Sequence, residues 1–66
     1  MRVEVNGAVQ EVEADLRLGA LVDGRVASRR GVAVAVDGDV VPRRAWDDTA
    51  LHDGARIEIV AAVQGG

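Results

Sequence analysis

The stretch Arg56-Ile57-Glu58-Ile59-Val60-Ala61-Ala62-Val63 decides how this chain folds. In an extended chain Ile57, Ile59, Ala61 and Val63 share one face, and Arg56, Glu58, Val60 and Ala62 share the other. Its length and its Ile and Val content read as the last strand of a sheet, and predict that it pairs next to the first. Asp53-Gly54, directly before it, is a turn.

Upstream, Val32-Ala33-Val34-Ala35-Val36 is apolar on both faces and predicts a central strand. Asp37-Gly38 signals a tight hairpin, and Asp39-Val40-Val41 returns from it. Pro42 donates no hydrogen bond and marks a strand end or an edge. Arg43 to His52 sets Trp46 and Leu51 among polar residues and reads as a connection with one short helical turn. At the other end, Arg2 to Val5 alternates as a half-buried strand, Asn6-Gly7 is a second hairpin signal, and the return runs over about Ala8 to Glu13. Val9 and Val12 fall out of strict alternation there, which predicts a bulge or a slipped register.

Between the hairpins, Leu18, Leu21, Val22 and Val26 form one apolar stripe on a helix of two to three turns. Asp15 is the candidate cap. Arg25, Arg29 and Arg30 fall near the end, where cations suit the helix dipole, and Gly31 is the stop. Gly19 and Gly24 each weaken a helix by up to about 1 kcal/mol relative to Ala, so an early end at Gly24 is the alternative. The whole order predicts an α+β fold: a mixed sheet of four to five strands with one helix packed across one face, the β-grasp or ubiquitin-like arrangement. It reads as one domain over residues 1–66, with residues 63–66 as a flexible C-terminal tail.

Composition narrows the function. A chain of 66 residues buries only about 60% of its unfolded surface, so a deep small-molecule pocket would consume most of its core. Trp46 is the only aromatic residue and the net charge is −3, which argues against base stacking and phosphate tracking, and hence against a nucleic-acid partner. There is no Cys and no Lys, and no apolar run of membrane-spanning length. These features lead us to expect a cytoplasmic protein with no membrane partner, no bound cofactor and no catalytic side chain of its own. His52 stands alone, without a second His or any Cys to share a metal, so no metal site is expected. Asp47, Asp48 and Asp53 read as a solvated loop. Trp46 reads as capping the core from one edge, with an interface anchor as the alternative.

What remains is the ending Val63-Gln64-Gly65-Gly66, which leaves the last strand without a linker. A carboxylate resists nucleophilic attack, but ATP can convert it to an acyl-adenylate, from which a sulfur nucleophile displaces AMP to leave a thiocarboxylate. For this the terminus must thread into another protein's active site, and Gly offers no side chain to block a narrow channel. Gly66 is the expected site of modification, and Val63, Gln64 and Gly65 are the residues that thread. Val60 and Ala62, on the face away from the helix, and Arg43 are candidate partner-docking residues.

The Asn6-Gly7 hairpin, the stretch Val32 to Trp46 (VAVAVDGDVVPRRAW) and the ending LHDGARIEIVAAVQGG together resemble the ThiS family, the sulfur carriers of thiamin thiazole synthesis. Val40-Val41-Pro42-Arg43 followed by Trp46 carries more of this likeness than the Gly-Gly end, which all ubiquitin-like carriers share. The resemblance implies that a ThiF-like enzyme adenylates Gly66 with ATP. Sulfur from a donor system then makes the thiocarboxylate, and a ThiG-like thiazole synthase receives it. The chain would then be a co-substrate and not an enzyme. Three departures stand out: Asp37 where relatives often carry Asn, Arg17 where they often place Thr at the helix start, and the glycines within the helix. The alternatives are a MoaD-like or other-pathway sulfur carrier, or a ubiquitin-like protein modifier joined through Gly66 to a target Lys.

Overall fold

The computed structural model of the protein describes residues 1–62; the expectations placed on Val63, Gln64, Gly65 and Gly66 lie outside the described residues. The elements in chain order are β1 (Arg2–Val5), β2 (Ala8–Glu11), α1 (Leu18–Asp23), β3 (Val32–Val36), β4 (Asp39–Val40), a 3-10 helix (Arg43–Asp48) and β5 (Arg56–Ala61). The five strands form one mixed sheet in the order β2-β1-β5-β3-β4. This is the β-grasp arrangement, with the helix on one face.

β5 holds the middle of the sheet. It runs parallel to β1, pairing Val5 with Ile57, and antiparallel to β3 from Val36↔Ile57 to Val32↔Ala61. The doubly apolar β3 is therefore interior, as its composition requires, but the middle place belongs to β5. Along β1, Val3 and Val5 point to the core at 1% and 3% exposure while Arg2 and Glu4 face out.

The first hairpin follows its sequence signal: Asn6 and Gly7 take φ of 49° and 86°, the left-handed pair that an Asn-Gly turn supplies. No bulge follows. Arg2↔Glu11, Val3↔Gln10, Glu4↔Val9 and Val5↔Ala8 pair in unbroken register, and Val12 N–H continues it to the Met1 carbonyl at 2.8 Å. Val9 and Val12 break the alternation because they point to opposite faces: Val9 is exposed, and Val12 packs against the core.

The helix is shorter than its apolar stripe. It closes at Gly24, whose N–H donates to the Ala20 carbonyl, so the early ending holds and Gly31 is not the stop. Gly31 instead sits at φ 73°, starting β3, and its carbonyl accepts from Ala62 N–H at 2.8 Å. Asp15 does not cap α1. The N-cap is Arg17, which makes no side-chain cap bond; the Leu18 N–H is satisfied by the Thr49 carbonyl at 2.9 Å and Arg17 Nη1 reaches the Asp48 carbonyl at 3.1 Å. The start of α1 is thus tied to the end of the 3-10 helix.

The basic residues expected at the helix end do other work, since none lies in its last turn. Arg29 donates to Asp23 at 2.7 and 2.8 Å and to Asp47 at 2.8 and 3.2 Å, and stacks 5.5 Å from the Trp46 ring centroid. Trp46 is buried at 1% exposure, with Nε1 donating to the Val41 carbonyl at 2.8 Å. It fills the core together with Leu18, Val22, Val34 and Ile57, so neither an exposed anchor nor a mere edge cap describes it.

Gly19 follows from the same cluster. A Cβ there would collide with Asp47 Oδ1 and press on Arg29 Nη2 at 2.8 Å, so the helix forgoes propensity to admit the Arg29–Asp47 pair. In an Asp47→Ala background, where only the flexible end of Arg29 must shift, Gly19→Ala should therefore stabilise by up to the helix preference of about 1 kcal/mol. In the natural background it should give less or reverse sign. Chemical denaturation of the four chains measures this coupling, and equal gains in both backgrounds would refute the steric account.

Candidate functional site

The candidate site is the end of β5 and the surface around it. Two hairpin-turn side chains grip this strand. The Asn6 carboxamide accepts from Ile59 N–H at 2.8 Å and donates to the Ile59 carbonyl at 3.1 Å. It takes the place of a strand residue just where β1 turns away. At the strand's start, Asp37 Oδ1 accepts from Arg56 N–H at 3.0 Å. Both residues are first positions of left-handed turns, with Asp37 at φ 52°. The sequence reading gave them only the turn role, because nothing local to Asn6-Gly7 reports a partner 53 residues away.

Further bonds fix the strand's entry. Asp53 Oδ1 accepts from Arg2 N–H, Gly54 N–H donates to the Arg2 carbonyl, each at 2.7 Å, and Glu4 N–H donates to the Ala55 carbonyl at 2.9 Å. Asp47, Asp48 and Asp53 are exposed, as a solvated loop requires; Asp53 and Asp47 are in addition structural acceptors, and Asp48 contributes its carbonyl to Arg17. At the far end, the Ala62–Gly31 bond holds the last described residue against the start of β3.

The sheet face away from the helix is open. Register places Ala33 opposite Val60 and Ala35 opposite Val40, so these four residues make one apolar area beside the chain's exit. Val60 is 64% exposed and Val40 77%. Farther across that face lie the ion pairs Arg56–Glu4 and Arg2–Glu11, both at 3.6 Å, with exposed Val9 opposite Glu4. Of the docking residues read from sequence, Val60 and Ala62 are exposed at the end of β5. Arg43 is exposed on the separate 3-10 helix, with no ion pair among the described residues. Val40, Ala33 and Ala35 were missed, although the alternation of β3 and the return from Asp37-Gly38 could have put them on this face.

No group of three or more His, Asp or Glu able to hold a metal occurs among the described residues, and no described helix is long and apolar enough to cross a membrane. His52 does have a partner: its Nε2 lies 2.6 Å from Asp37 Oδ2. The Asp37 bond, followed by the Asp53 carbonyl, raises the His52 pKa above its ordinary value. The Arg56 N–H, followed by His52, lowers that of Asp37. Both side chains are exposed, so the pair trims the pH dependence of stability without dominating it.

The signs are opposite. A raised His pKa gives stability that is complete below the unfolded value of ~6.5 and lost as pH climbs through the folded one; a lowered Asp pKa gives stability complete above ~3.9 and lost as pH falls through its folded value. NMR titration should find the His52 imidazole above ~6.5, returning toward it in Asp37→Asn. An unshifted His52 would refute the pairing. Separately, Asn6→Gly keeps the turn but removes the clamp, and should cost about 1 kcal/mol with faster hydrogen exchange at the Ile59 amide. Unchanged exchange there would refute the clamp.

Comparison with known proteins places these features. A sequence profile of the ThiS family matches residues 2–66. The crystal structure of a thiamine biosynthesis protein (ThiS) from Geobacter metallireducens superposes with a TM-score of 0.82 at 32% identity, covering 100% of both chains. The solution structure of a thiamine biosynthesis protein from that organism gives 0.81 at 32% identity, covering 100% of this chain and 88% of that one. A curated thiazole synthase of Paramagnetospirillum magneticum is 32% identical over 66 residues, 100% of this chain and 20% of that protein. The chain thus spans about a fifth of the length of the curated relative it matches.

Proposed function

From the premise that the chain belongs to the ThiS family, we propose that it is a sulfur carrier of thiamin biosynthesis whose reactive group is the carboxylate of Gly66. The observation that carries this reading is the family match, which runs to Gly66 itself. A ThiF-like enzyme uses ATP to adenylate Gly66. Sulfur from a donor system displaces AMP and leaves the thiocarboxylate, and a ThiG-like synthase takes the sulfur into the thiazole. The chain binds no cofactor; ATP belongs to the activating enzyme.

The fold is suited to this. Arg2, Glu4, Glu11 and Arg56 of the sheet and Asp23 of the helix are taken up in ion pairs, and the grooves near β5, of about 230, 260 and 370 Å³, are shallow and open. Four residues, Val63 to Gly66, reach at most about 14 Å beyond Ala62 when extended. A partner that takes Gly66 into its active site must therefore press on the surface near Ala62. The apolar area of Val60, Ala33, Ala35 and Val40 would be the surface that meets it, and exposed Arg43 would meet an acidic patch on the same partner. Val63, Gln64 and Gly65 thread the channel.

ATP–pyrophosphate exchange with a ThiF-like enzyme tests this. Gly66→Ala should leave the melting temperature unchanged and slow adenylation about tenfold or more, equivalent to ~1.4 kcal/mol in the barrier. Val60→Asp should raise KM with little change in kcat, as expected for lost docking. Normal adenylation of the Gly66→Ala chain would overturn the role of the tail, and an unchanged KM for Val60→Asp would overturn that of the face.

A further inference from the structure

The strand leading to the tail has a free edge at its far end. The β3–β5 register fixes which way each β5 peptide group points. Asp37 N–H donates to the Arg56 carbonyl and Ala62 N–H to the Gly31 carbonyl, both at 2.8 Å. The backbone groups of Arg56, Glu58, Val60 and Ala62 therefore face β3, and those of Ile57, Ile59 and Ala61 face the β1 side. On that side the Ile57 carbonyl accepts from Asn6 N–H at 2.9 Å, and both groups of Ile59 are taken by the Asn6 carboxamide. Ala61 comes next. β1 has already turned away, and no partner among the described residues meets the Ala61 N–H or carbonyl on that side.

A groove of about 230 Å³ opens at this point, lined by Val5, Asn6, Arg25, Val26, Ile59 and Ala61. Its charge is one-sided, because among the described residues Arg25 is the only ionisable one that lines it. The Arg25 guanidinium bonds the neutral carboxamide of Gln10 and has no carboxylate partner among the described residues, whereas Arg2, Arg29 and Arg56 each have one. Among the described residues, an unpaired strand edge, the partly buried side chains of Val26 and Ile59 and a cation without a carboxylate partner thus meet at the base of the tail.

We propose that this groove is a strand-addition site for an extended segment of the partner that takes in the tail. That segment carries an apolar residue and, two positions along on the same strand face, Asp or Glu. Its backbone pairs with Ala61, its apolar side chain lies over Val26 and Ile59, and its carboxylate meets the Arg25 guanidinium. The other sheet edges lack this combination: β4 is two residues long, and β2 carries Glu11, which disfavours an acidic strand. The proposal rests on the reading of the tail as a group handed to a partner, and adds how the base of that tail is held.

The test uses the full chain, nitrogen-15 labelled, titrated with the acetylated and amidated peptide Val-Thr-Glu-Thr. Controls are the same peptide with Lys for Glu and one with N-methylated backbone. Binding should perturb the amides of Asn6, Val26, Ile59 and Ala61 and slow exchange at Ala61. The Lys and N-methyl peptides should bind about tenfold more weakly, and Arg25→Glu, checked for folding by circular dichroism, should reverse the Glu-over-Lys preference. Perturbations centred on β2 or β4, equal binding of the N-methyl peptide, or no saturation at millimolar peptide would overturn the proposal. A chain lacking Gly65-Gly66 should bind the peptide as well as the full chain, so failure of the groove is distinguishable from failure of the sulfur-carrier reading.

Discussion

The last strand of this protein is held by the side chains of two turns. Asn6 and Asp37 each open a left-handed hairpin turn, and each sends its side chain to the backbone of β5, one to Ile59 and the other to Arg56. Between these grips β5 lies in the middle of the sheet, parallel to β1 and antiparallel to β3. The two hairpins are local in sequence, but the sheet is joined only when the C-terminal strand enters between them. The core forms at the same moment, because Ile57, fully buried, belongs to the same core cluster as Val3, Val5, Leu18, Val22, Val34 and Trp46. Such long-range closure is entropically costly until it is complete, and the turn side chains add bonds that exist only in the closed state.

This arrangement ties stability to the point from which the tail departs. On either side of Ala61 the strand is bonded: Ile59 to Asn6 and Ala62 to Gly31. The scaffold therefore presents its C-terminal end from a fixed base beside an apolar area. On the opposite side of the sheet the Arg29, Asp23, Asp47 and Trp46 cluster locks the short α1 to the 3-10 helix. A domain this small gains its rigidity from such cross-ties, since its core is limited.

Much of the fold was legible in the sequence because it is written in local signals. Asn-Gly and Asp-Gly fixed both hairpins, β3 fell at Val32–Val36 as its apolar run required, and the Ile/Val-rich ending found its place beside β1. What was not legible depends on contacts between distant segments. The bulge expected at Val9 and Val12 dissolves once the two residues are seen to face opposite sides. Asp15 is not the cap because the Thr49 carbonyl already satisfies Leu18. Gly19 looks like a weak helix residue until Asp47 is placed against it. Trp46 sits in a polar stretch, and only the packing of α1 on the 3-10 helix makes it core. At the candidate site, Val60 and Ala62 could be read from strand phase, whereas the second role of Asn6 and the free edge at Ala61 need the sheet order.

The central claim is that this β-grasp domain exists to present one carboxylate, that of Gly66, for conversion to a thiocarboxylate. The most direct measurement is the intact mass of the full chain after incubation with ATP, a ThiF-like enzyme and a sulfur donor, followed by fragmentation. The account predicts a gain equal to the exchange of one oxygen for sulfur, located at Gly66 and absent when ATP is withheld. An unchanged mass, or sulfur found elsewhere in the chain, would contradict it.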